Sequence, residues 1–324
     1  MQDALNLSIG LQNEATLLVS LGRLSEAQRA ASEALRLATE EGDEEAIRYS
    51  HSRRGWTASL SGQLGPAALD FALANALEKK MFGEELCSGR GVWWAELLLR
   101  SGHPALTTRR TKANLRICER KQWNEVIACC HSMLGWCALA EGRLGDAEVE
   151  LRQAEPVLRQ GQILFWLARL HVTAGDLALA RQDAPGALDR AAEALALAAP
   201  RGMRLVHADA LVLRGRARLL EVQADSPARA LDDAEEALRL ARDCGYAWAE
   251  RDALFLEAET RAAFSARHDS DNASAATRER EASRRARADA EALAARLLLS
   301  EEDLTAADAK ALEWLKDWAK NAKK

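Results

Sequence analysis

Proline and tyrosine are scarce in this 324-residue chain, at six and two copies, and phenylalanine is limited to five. A sequence so poor in strand formers and helix breakers, and dominated by alanine, leucine, arginine and glutamate, reads as helical throughout. No stretch approaches the roughly 20 apolar residues of a membrane span, and no basic start leads into an apolar run, so neither a membrane protein nor a secretory leader is expected. Excess positive charge is also missing. The net charge is -5 with a pI near 5.8, and Lys and Arg are interspersed with Asp and Glu, which argues against a nucleic-acid partner. The six cysteines (Cys87, Cys118, Cys129, Cys130, Cys137, Cys244) show no Cys-x-x-Cys spacing. Within helical patterns they read as buried thiols of a reducing, cytoplasmic compartment. Phosphate-loop, dinucleotide-binding, His-Glu-x-x-His and Gly-x-Ser-x-Gly motifs are absent, so no enzyme and no cofactor are expected.

What the chain does contain is a period. Glycine recurs at 22, 62, 102 and 142, and a second series, Gly55, Gly135, Gly175 and Gly215 with Ala95, keeps the same interval of 40. A fixed period of this length marks stacked copies of one supersecondary unit. In the first copy Leu11, Ala15 and Leu18 form the stripe of one helix, Gly22 ends it, and Leu24, Ala27, Ala31, Ala34 and Leu37 form the stripe of a second. The small residues let the helices approach closely.

The fourth copy spells Leu134-Gly135, Gly142-x-Leu144-x-x-Ala147, Leu151 and Ala154. This string resembles a tetratricopeptide repeat (TPR), whose usual period is 34. The six extra residues fall between units, as in the sensor regions of STAND-type signal-transduction ATPases. The resemblance implies an all-α, right-handed α-solenoid of antiparallel helix pairs, a TPR-like superhelix of about seven repeats with a C-terminal capping helix. Units are placed near 4–41, 44–82, 85–122, 125–160, 163–200, 203–244 and from 246 through 263. A polar loop is expected over 264–276, then a charged helix and a capping helix within 277–324, the latter starting at a capping box of Thr305 and Asp308 and covering the last repeat.

Individual units depart from the pattern. Unit three has Pro104, Thr107, Thr111 and Asn114 where leucine and alanine stand elsewhere, and unit six carries three extra residues around Asp225-Ser226-Pro227. Gly42, Gly83, Gly161, Gly202 and Gly245 read as left-handed caps of the second helix of each pair, and Pro156 as a kink inside one.

His51, His131 and His171 share one place in their repeats, but stacked helices hold equivalent side chains too far apart for one zinc ion, so they read as structural. Cys129, Cys130 and His131 point about 100° apart around a helix and do not form a ligand set. The TPR resemblance places the first helix of each pair on the concave groove. Mapped onto this chain, that face contains Gln12, Asn13, Ser52, Arg53, Trp56, Trp93, Glu96, Met133, Trp136, Asp176 and Arg216. Large aromatics beside polar groups make a recognition surface; the alternative is that the tryptophans pack against neighbouring helices. Chaperone-tail clamps of the same family need lysines where Ser52, Val92 and Ser132 stand, so that specificity is not expected.

The leading expectation is therefore a non-catalytic module that holds a protein or peptide segment in its groove, with no nucleic acid, no membrane and self-association through the terminal repeats. The alternative is a ligand-sensing segment of a larger STAND-type ATPase. A third reading, an independent enzyme, lacks any visible catalytic constellation.

Overall fold

The computed structural model describes residues 2–221, 223, 225–268 and 273–321. Fifteen α-helices and a 3-10 turn at Ala199–Arg201 account for nearly all of them, and no strand occurs among the described residues. Six pairs follow one another: α1 (Gln2–Ser20) and α2 (Leu24–Glu41), α3 (Glu44–Leu60) and α4 (Leu64–Phe82), α5 (Ser88–Arg100) and α6 (Pro104–Lys121), α7 (Asn124–Ala140) and α8 (Leu144–Gln160), α9 (Leu164–Ala180) and α10 (Ala184–Ala198), α11 (Arg204–Leu220) and α12 (Ser226–Cys244). A longer pair, α13 (Ala247–His268) and α14 (Ala273–Arg296), and a final α15 (Glu301–Asn321) complete the chain. From α1 to α14 each helix packs chiefly on its sequence neighbours, the arrangement of a helical repeat.

Alanine and glycine set the spacing. Ala147, Ala154, Ala187, Ala191, Ala230 and Ala234 are fully buried along the second helices, and a Cβ on Gly135 would lie 2.8 Å from the Leu151 side chain. On Gly175 and Gly215 it would collide with Leu213 and Leu256 of the next first helix. These glycines are therefore sites of interhelical contact. Asn114, out of pattern in unit three, has its own task. Its side chain accepts from Ser88 N at 2.8 Å and donates to Ser88 O at 3.0 Å, fixing the start of α5 at a residue with φ of 63°. The repeat histidines tie first helix to second, His51 to Asp70 and His131 to Glu150 at 2.7 Å each, and His171 to Arg190 at 3.0 Å.

One expected detail differs. Gly161 has φ of -74° and is not a left-handed cap; the chain reverses one residue later, at Gln162, with φ of 53°. Pro156 lies inside α8, as expected.

The stack curls until its two ends meet. A Cβ on Gly22, after α1, would stand 2.9 Å from both Arg204 Cβ and Cys244 Sγ of unit six. One unit on, Gly62 meets Ala247 and Leu297, and Gly102 meets Leu298. The same closure is made by polar groups: Trp248 Nε1 donates to Ser59 O at 2.8 Å, and His103 Nε2 lies 2.8 Å from Leu299 O. Units one to three are thus docked edge-on against unit six, unit seven and the segment after α14.

α15 does not cover the last repeat. It packs on α4, in unit two. α4 is buried on nearly every side, Ala68, Ala72 and Ala76 included, so it needs cover on the face where α2, for example, presents Arg29, Glu33 and Arg36 to solvent. Ala307 and Ala311 bury against it, Trp314 meets His51 edge-on with ring centroids 5.9 Å apart, and Trp318 Nε1 donates to Glu44 at 3.1 Å. The capping box is Ser300 with Asp303, not Thr305 with Asp308. Ser300 N donates to Asp303 Oδ2 at 2.9 Å and Asp303 N to Ser300 Oγ at 3.0 Å, whereas Thr305 lies inside the helix. The polar segment expected over 264–276 is helical up to 268 and again from 273, and 269–272 lie outside the described residues.

Candidate functional site

The side chains assigned to the groove follow ladders with the period of the repeat, one being Trp56, Glu96, Trp136, Asp176 and Arg216. Curling of the stack divides that face in two. In units one to three it is closed. Trp56 and Trp93 stack with centroids 4.4 Å apart and rings 2° from parallel, and Phe165 of α9 meets Trp56 edge-on at 6.4 Å. Both tryptophans are buried, at 2% and 8% exposure, so they are core and not an open recognition surface. Ser52 is buried and donates to Arg48 O; Gln12 is buried and donates to Ser50 Oγ at 3.0 Å. Gln12, Asn13 and Arg53 of this half line a separate cavity, shared with Tyr49 and Asp43. Arg53 donates from Nε to Thr16 at 3.1 Å, and burial together with Arg90 lowers its pKa to about 10.

In units four to six the face opens into a small cleft. Met133, Trp136, Asp176 and Arg216 line it as the ladders require. Glu96 is 1% exposed and stands behind the wall. Its Oε1 accepts from Arg100 Nε at 3.0 Å and from Arg169 Nη2, so one carboxylate holds two guanidinium groups at the cleft surface. Burial works against its ionisation, yet Arg169 and Arg100 outweigh burial and keep the carboxyl below the usual carboxylate range. Arg100 also donates from Nη2 to Tyr246 OH at 2.9 Å, and that hydroxyl donates to Asp209 Oδ2 at 3.1 Å. Arg100 lies over Trp136 at 4.8 Å and Arg169 over Trp166 at 5.3 Å from the ring centroids.

Among the charged and aromatic lining residues, Arg100, Trp166, Arg169, Asp209 and Asp252 are outside the expected set. Three of them carried a readable signal: Asp209 follows Arg169 by 40, and Asp252 follows Asp209 by 43, after the three-residue insertion of unit six. They are a second ladder on the same helices. Asp176 and Arg216 differ from the rest, because neither makes a hydrogen bond or ion pair with another described residue. Burial raises the Asp176 pKa to about 6, with Asp252 and Asp209 adding to the rise and Arg216 and Arg100 opposing it.

Among the described residues no cluster of three or more His, Cys, Asp or Glu has the geometry to hold a metal ion, and no helix is long and apolar enough to cross a membrane. All six cysteines are free and buried, and burial pushes the Cys129 thiol up to about 12. Compared with known proteins, the chain matches no family model and no curated protein.

Proposed function

We propose that this protein is a non-catalytic recognition module of the tetratricopeptide type, a right-handed superhelix that holds a charged segment of a protein or peptide partner in the cleft of units four to six. One observation carries the reading: one repeat ladder brings Trp136 and two charges without a hydrogen-bond partner, Asp176 and Arg216, to the same cleft, where Trp166 adds a second aromatic ring. Such a combination of stacking surface and fixed polar groups suits a binding site, and the lining offers no nucleophile held by a base. The closed half of the groove favours a short segment over a long helix.

That closure also favours the second reading, a ligand-sensing segment of a larger signalling ATPase of the STAND type. Six free buried thiols support a cytoplasmic location within the same proposal. Exposed Leu7 and Leu17 on α1 support self-association through the first repeat, which sedimentation over a concentration series tests.

Affinity capture from the source lysate tests the main reading, with wild type compared against Trp136→Ala and Arg216→Gln after circular dichroism shows equal helicity. A partner retained by wild type and lost by both variants supports it. Equal recovery on all three overturns the assignment of the cleft.

A further inference from the structure

We propose that the cleft receives a single residue carrying a cationic nitrogen and a carboxylate together, the chemistry shared by a C-terminal arginine or lysine of a partner chain and by the free amino acid. The inference rests on the cleft being the recognition site. Asp176 of α9 and Arg216 of α11 occupy the same rung in adjacent units and line the same space, and neither makes a hydrogen bond or close ion pair with a described residue, although each feels the other's charge. Partly desolvated charges left this way are unfavourable, and a ligand that supplies both complements relieves both at once. A ligand with one charge, or none, leaves at least one of them unpaired.

The surroundings sort the two ends. Asp209 and Asp252 lie on the Asp176 side and reinforce its field, so the cation belongs there; they also raise its pKa, an unfavourable state that a bound cation reverses. Arg216 forms the carboxylate end, where a planar guanidinium can bind both oxygens. The other charged groups have partners already. Arg100 and Arg169 are fixed by Glu96, Asp209 by Tyr246, and Asp252 by Arg251 at 2.8 Å. Trp136 and Trp166, each with a guanidinium over its ring, also line the cleft and add apolar surface suited to the methylene stem of a long basic side chain.

Isothermal titration calorimetry on the full chain tests this with four probes: free L-arginine, a five-residue peptide ending in arginine with a free carboxylate, the same peptide amidated, and its counterpart ending in glutamine. The expected result is binding of the free-carboxylate arginine peptide, with about tenfold weaker binding on amidation and again on glutamine replacement. Arg216→Gln should erase the amidation difference and Asp176→Asn the arginine–glutamine difference. Both side chains lack partners in the chain, so these variants should fold. Free arginine binding as tightly as the peptide assigns the site to an amino acid; a tighter peptide assigns it to a chain end. Equal binding of the amidated and free peptides, or no binding of any probe at millimolar concentration, overturns the proposal. If lysate capture still depends on Trp136 in that case, the cleft remains the recognition site and only its ligand class is wrong.

Discussion

The indole Nε1 of Trp248 donates a 2.8 Å hydrogen bond to the carbonyl oxygen of Ser59, and the two residues are 189 positions apart in the chain. Trp248 is 1% exposed, and the bond joins unit seven to unit two. Trp248→Phe keeps most of the ring and removes the donor. We expect a loss of about 1–2 kcal/mol in urea unfolding, read as a lower midpoint at unchanged slope.

Gly62 and Gly142 provide a matched pair for measuring closure. Both end the first helix of a unit in the left-handed region, with φ of 76° and 72°, but a Cβ on Gly62 lies 2.9 Å from Ala247 Cβ, while one on Gly142 meets nothing within 4 Å. Alanine at either position should cost about 1 kcal/mol of backbone strain. Gly62→Ala should cost about 1–3 kcal/mol more, because unit seven must move. Equal losses would mean that the docking of unit two on unit seven contributes no stability.

The repeat was legible because every unit must solve the same packing problem with the same small residues, as Gly135 against Leu151 and Gly175 against Leu213 show. The curling was not legible in that pattern, since Gly22, Gly62 and Gly142 look alike in sequence and only the first two are docked. The place of α15 did leave a trace. α4, LGPAALDFALANALEKKMF, lacks the polar stripe of α2, and a helix without a polar face is covered on all sides. The site was half readable for the same reason. The ladder through Trp136, Asp176 and Arg216 holds, but on its earlier rungs Trp56 and Glu96 are drawn into the core by Phe165 and Arg169, contacts that depend on curvature.

α15 supplies the next prediction. Trp314 stacks on Trp318 with centroids 5.3 Å apart and packs on Ala38, Ile47 and Leu77 with its neighbours. Trp314→Ala should destabilise the chain by about 2–4 kcal/mol, the loss of a large, partly buried aromatic. Hydrogen exchange should speed up in α4 and α15 and leave α13 and α14 unchanged. Faster exchange in α13 and α14 instead would restore the picture of a cap on the last repeat.

Asp176 gives the fold a pH signature. Its carboxyl has an ordinary value near 3.8 and is raised to about 6 by burial, with Arg216 opposing, Asp252 and Asp209 reinforcing, and Arg100 opposing. The folded chain therefore holds this proton more tightly than the unfolded chain, so the group's contribution to stability falls as pH climbs from about 3.8 to about 6. Asp176→Asn removes that dependence. Relative to wild type the variant should match near pH 3.5 and gain with rising pH, by up to about 3 kcal/mol above pH 6. Parallel stability curves across this range would contradict the burial of Asp176.

The central claim is that recognition occurs in the cleft of units four to six. Hydrogen–deuterium exchange of the chain, alone and saturated with its captured partner, tests that location directly. The account predicts slowed exchange in α7, α9 and α11 around Trp136, Asp176 and Arg216. Protection confined instead to α1 and α3, around Asn13 and Arg53, or to α6 and α15, would contradict it.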